Sequence, residues 1–89
     1  MKRNLLEALN NLKIKYQNEE RYVVMNQVIT DTLQIVNRYD NYDYIQSELS
    51  NKINEVKYRN PALTRYPDKY EHCMLKIKSI VHSFKNDFM

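Results

Sequence analysis

The chain has 89 residues, of which 43% are hydrophobic and 28% charged; its net charge is +3, and it contains no glycine. That length allows one domain, residues 1–89, around one modest core. Glycine is the usual residue wherever backbone needs φ > 0, so its absence weighs against Walker loops, dinucleotide fingerprints, nucleophile elbows and tight β-hairpins. What remains is a chain of helices joined by short turns.

The first segment runs from about Arg3 to Tyr16. Leu5, Leu9, Leu12 and Tyr16 recur at helical spacing, with Ala8 beside them and Asn4 as the expected N-cap. The second segment runs from about Glu19 to Tyr39, with Asn18 as its expected cap and Glu19 and Glu20 suited to the positive end of a helix. Its apolar stripe is Tyr22, Met25, Val28, Ile29, Thr32, Val36 and Tyr39. At about 100° per residue this stripe is displaced by roughly 170° from that of the first segment. One straight helix would therefore bury opposite sides in its two halves, and a turn near Gln17–Glu19 is predicted instead.

Asp40-Asn41-Tyr42-Asp43 is the next interruption, and Asp43 with Gln46 resembles a capping box. The third segment then extends to about Tyr58, with Ile45, Leu49, Ile53 and Val56 inward. Asn60-Pro61 ends it, because the residue before proline avoids the α region. Pro67 opens the fourth segment, where its missing N–H costs nothing. Tyr70, Cys73, Met74, Ile77, Ile80, Val81 and Phe84 form the most regular stripe in the chain, and Lys69, Lys76, Lys78 and Lys85 lie off it. Four amphipathic segments with short connections predict an all-α fold, a compact bundle of three to four helices.

The charge is unevenly spread. Residues 1–17 carry +3, residues 18–50 carry −4 and residues 51–89 carry +4. The simplest account is a set of solvated helix faces that attract one another. No apolar run approaches the roughly 20 residues that span a bilayer, and Glu7 cuts the Leu5-Leu6 pair, so neither a membrane span nor a signal peptide is expected. The lone Cys73 has no disulfide partner within the chain, which fits a reducing, cytoplasmic compartment. His72 and Cys73 are adjacent and so point about 100° apart on a helix. With no second cysteine or close carboxylate pair, neither a metal nor a cofactor is expected.

Eight tyrosines with no tryptophan stand out. Tyr16, Tyr22, Tyr39 and Tyr70 sit on the stripes, where the ring packs and the hydroxyl is expected to reach water. Tyr58, Arg59, Arg65, Tyr66 and Lys69 surround the Pro61 loop, and Tyr and Arg are enriched among binding hot spots. These five residues are the expected partner-binding site, and the expected role is that of a small non-enzymatic protein-binding module. It would occlude or bridge a partner protein, as an inhibitor, antitoxin or immunity protein does. Asn and Tyr richness with Ile and Lys suggests an AT-rich genome, which fits a phage or mobile element.

The alternative is a nucleic-acid-binding regulator, since the same Tyr and Arg residues can stack on bases and hold phosphates. Against it stand the low net charge and the acidic second segment. A homodimer is a further expectation, because Phe88 and Met89 extend apolar surface beyond the fourth segment.

Arg65 and His72 are separated by six residues. This spacing resembles the Arg-x4-6-His motif of the HEPN ribonucleases, over eight residues of the chain. The resemblance implies an all-helical fold in which paired histidines from two chains cleave RNA. The favoured reading gives Arg65 and His72 a structural or surface role and makes the protein no enzyme.

Overall fold

Each apolar stripe needs a neighbour to cover it, and the four helices supply that cover for one another. In the computed structural model, which describes residues 2–58 and 67–88, α1 spans Arg3–Tyr16, α2 Val23–Arg38, α3 Tyr42–Tyr58 and α4 Pro67–Ser83. Two short 3-10 turns, Glu20–Tyr22 and Lys85–Phe88, precede α2 and follow α4. The described residues hold no strand, and the chain is an all-α bundle with a radius of gyration of 12.9 Å. A compact domain of this length has about 12 Å.

The predicted break at Gln17–Glu19 is present. The Glu19 N–H donates to the Tyr16 carbonyl at 3.1 Å, and the Tyr22 N–H donates to the Glu19 carbonyl at 2.9 Å. The chain can thereby turn its second apolar stripe onto the same core as the first. Leu5 and Leu9 of α1 meet Val28, Ile29, Leu33 and Val36 of α2 in that core. Ile45, Leu49 and Ile53 of α3 and Tyr70, Met74, Ile77 and Val81 of α4 complete it. Burying each aliphatic side chain of this kind contributes about 1.5–3 kcal/mol.

α2 lies at the centre and packs against α1, α3 and α4. Its buried arc is accordingly wider than the predicted stripe and takes in Leu33 and Asp31. Asp31 is only 8% exposed. Its carboxylate accepts from the Tyr70 hydroxyl at 2.6 Å and from the Gln27 amide at 2.9 Å. The expectation that the Tyr70 hydroxyl reaches water is therefore corrected: it is buried and spent on a carboxylate across the α2–α4 contact. Burial above all, then the hydrogen bond to Asp31, and then the Asp31 and Glu55 charges push the Tyr70 phenol far above its ordinary value.

The caps differ from those expected. Asn4 lies inside α1 and its side chain does not cap the helix. Asp87, from the 3-10 turn after α4, accepts from the Leu5 N–H at 2.9 Å and from the Asn4 amide at 3.2 Å. Asn18 caps nothing, since the 3-10 turn and α2 start after Glu19 and Tyr22 without side-chain caps. α3 starts one residue before Asp43, and its cap is Asn41, whose side-chain oxygen accepts from the Tyr44 N–H at 2.9 Å. Phe88 is turned inward: it packs against the core with its ring 5.9 Å from that of Tyr42. No helix among the described residues is long and apolar enough to cross a membrane.

Candidate docking cleft

The residues between α1 and α2 form one wall of an open cleft. Tyr22 is fixed there by its ring contact with Tyr16, at a centroid distance of 4.5 Å. The Asn26 amide donates to the Tyr16 carbonyl at 2.8 Å and ties the turn to the first part of α2. The opposite wall is the flank of α4 carrying Asp68, Lys69, His72, Cys73 and Lys76. Between the walls lies about 710 Å³ of space, also lined by Glu20, Arg21, Tyr22, Val23, Val24 and Met25.

The floor is apolar and the rim charged. Val24, Met25 and Cys73 are half-buried and pack against the core. Val23, at the lip, is 65% exposed. Burial pushes the Cys73 thiol up, and the positive charges of Lys76 and Lys69 work against that shift. Both lysines are thus close enough to the floor to be felt there. Arg21 leans over the Tyr22 ring at 4.8 Å and pairs with Glu19 at 3.6 Å.

Of the five expected partner-binding residues, the structure places Lys69 on the cleft. Tyr58 is the last residue of α3, 80% exposed and not among the cleft's lining. Arg59, Arg65 and Tyr66 lie outside the described residues, as does the arginine of the Arg65–His72 pair. His72 is exposed on the rim. Among the described residues no group of three or more His, Cys, Asp or Glu side chains could hold a metal ion.

The lysines of the fourth segment do not share one face. Lys69 and Lys76 line the cleft, whereas Lys78 donates to the Ser50 hydroxyl of α3 at 2.6 Å and Lys85 lies 5.4 Å from the Tyr42 ring. A phosphate backbone tracking α4 would meet two of these cations and miss the others. Sequence reasoning missed Val23, Val24 and Lys76 as site residues. The signal was available in the Val23-Val24 pair, of which neither member falls on the stripe of α2.

Comparison with protein-family models, with curated proteins and with solved structures found no match.

Proposed function

We propose that this chain is a small non-enzymatic protein-binding module that occludes or bridges a partner protein, and that it docks through the cleft between the start of α2 and α4. The observation that supports this reading is the position of Val23. It is a β-branched residue 65% exposed at the lip of an apolar floor; Ile14 and Leu75 are exposed aliphatics too, at 63% and 51%, but neither lines a cleft with such a floor. Covering it removes apolar surface from water, worth about 25 cal/mol per Å², and the charged rim then fixes orientation. Occlusion of this kind requires surface and no reacting group, which is how inhibitor, antitoxin and immunity proteins act. Tyr58 and Lys69 belong to the same reading as large polar residues on exposed positions near the two ends of the α3–α4 connection.

The test is capture of a partner from the native cell by the full chain and by two variants, followed by calorimetry with the purified captured protein. Val23→Glu places a charge at the lip without touching the core. Asn54→Glu places one on the exposed face of α3. The reading requires a protein that Asn54→Glu retains and Val23→Glu binds more weakly by more than about 1 kcal/mol, the threshold for a contributing interface residue. Captured material that is released by nuclease, or that Val23→Glu holds as well as the natural chain does, refutes it.

A further inference from the structure

The cleft has a direction. On α4 it is lined from Asp68 through Lys69, His72 and Cys73 to Lys76, a run of more than two helical turns and about 12 Å along the axis. The facing wall is a turn followed by a second helix, so the space is a trough between helical walls and offers no sheet edge for an extended peptide to join. A trough of this form takes a helix laid lengthwise, with anchors at i, i+3 or i+4 and i+7.

Its charge also has a pattern. Lys69 and Lys76 are seven residues apart, so they stand two turns apart on one flank of α4. Two acidic residues, Glu20 and Asp68, also line this trough. Asp68 sits in the first turn of α4, where the helix N-terminus offsets its charge. Lys76, at the far end, has no ion-pair partner among the described residues.

From this geometry, and resting on the protein-binding reading above, we infer that the occupant is an acidic amphipathic helix of the partner protein. Its apolar anchors lie on Val24, Met25 and Cys73, and carboxylates two turns apart face Lys69 and Lys76. The anchors supply most of the affinity, and the carboxylate pair sets direction and excludes basic helices.

Two synthetic helical peptides test this against the full chain. Both carry leucines at i, i+3, i+4 and i+7; one has Glu and the other Lys at the flanking positions two turns apart. The Glu peptide should bind about tenfold more tightly than the Lys peptide in calorimetry, a difference set by one or two charge pairs. It should also slow alkylation of Cys73 by iodoacetamide, measured by mass spectrometry. Lys76→Glu, an exposed change whose fold circular dichroism checks, leaves Lys69 in place and should abolish the preference between the peptides, and Lys69→Glu with Lys76→Glu should reverse it. Equal binding of the two peptides, no binding of either, or binding of the Glu peptide that leaves Cys73 alkylation unchanged overturns the inference. The capture experiment separates this failure from that of the module reading. A partner lost by Val23→Glu while the Glu peptide fails leaves the module standing and removes its acidic helix.

Discussion

Replacing Tyr70 with Phe removes one oxygen from the centre of the bundle and tests how the α2–α4 contact is held. Tyr70 is 5% exposed, and its hydroxyl donates at 2.6 Å to an Asp31 carboxylate that is itself 8% exposed. The ring stays and no cavity opens, so the loss is confined to the hydrogen bond and the desolvated carboxylate oxygen it leaves behind. A hydrogen bond to a charged group contributes about 1.5–3 kcal/mol, and a buried acceptor left without its donor keeps its full desolvation cost. Asp31 retains Gln27 on its other oxygen, which bounds the damage.

For a domain of this size that loss lowers the melting temperature by roughly 6–24 °C. Urea denaturation of the natural chain, Tyr70→Phe, Asp31→Leu and the double variant measures it. The double variant should be less destabilised than the sum of the singles, because removing both partners leaves nothing buried and unpaired.

The same pair sets an alkaline limit. The folded pKa of Tyr70 is raised above the unfolded value of about 10, so the folded state keeps a proton that the unfolded state gives up. This contribution is fully present below about pH 10 and is lost as pH rises beyond it, by up to about 1.4 kcal/mol per pH unit. Tyr70→Phe should flatten that decline. A stability change below about 0.5 kcal/mol with an unchanged alkaline slope would show that the hydroxyl and carboxylate do not support each other in the folded state.

Three further outcomes follow from the packing and the caps. Ile77 is buried at the centre of the α4 stripe, and Ile77→Ala should cost about 2–5 kcal/mol in denaturant melts, whereas a loss under about 1 kcal/mol would mean that the stripe is not core. Asp87→Ala removes the carboxylate at the N-terminus of α1 and should cost about 0.5–2 kcal/mol, with Asp87→Asn recovering part of it because an amide oxygen still accepts from the Leu5 N–H. Random-sequence DNA and RNA should show no tight binding at about 50 mM salt. Tight binding that falls about 10³-fold by about 200 mM salt would point to some six phosphate contacts and to nucleic acid as the partner.

The cores of the four helices were legible because each depends on local spacing. Leu5 and Leu9, Ile45, Leu49 and Ile53, and the α4 set from Tyr70 to Val81 fall inward as their periodicity requires. Asp31 and Leu33 were not legible, because their burial follows from α2 having neighbours on three sides, which no property of its own sequence records. The same holds for Tyr70: position on the stripe predicts a packed ring, but only the facing Asp31 determines where the hydroxyl goes. Phe88 reads as unpaired apolar surface until the turn at Lys85–Phe88 folds it onto Tyr42. At the candidate site, sequence reasoning selected Lys69 by its neighbours in the chain. The cleft selects it by its neighbours in space, Cys73 and Lys76 on one wall and Val24 and Met25 on the other.

A chain without glycine has to finish its helices some other way, and the solution here links the caps to the fold and the fold to the cleft. Among the described residues none has positive φ, so α1, α2 and α4 do not end in the left-handed cap that glycine favours. The carbonyls at the end of α2 are met by Lys2, whose ammonium donates to Val36 and, at 2.8 Å, to Tyr39, and pairs with Asp40 at 3.0 Å. A cation there also opposes the negative end of the helix dipole. The amides at the start of α1 are met by Asp87, 82 residues away in sequence from the Leu5 N–H it accepts. The carbonyl at the end of α1 is met by Asn26. A glycine cap satisfies a helix end locally, before any tertiary structure exists; these caps form only once the helices have packed. The start of α1 and the end of α2 are therefore completed only with the core, whereas Asn41 at the start of α3 and the Glu19 N–H at the end of α1 act locally. The Asn26 cap carries this logic to the surface. By holding the Tyr16 carbonyl it ties the turn that presents Tyr22 and Val23 to the α1–α2 packing beneath it. A wall tied down in this way has less ordering entropy to lose on contact, which favours binding at a small apolar cleft.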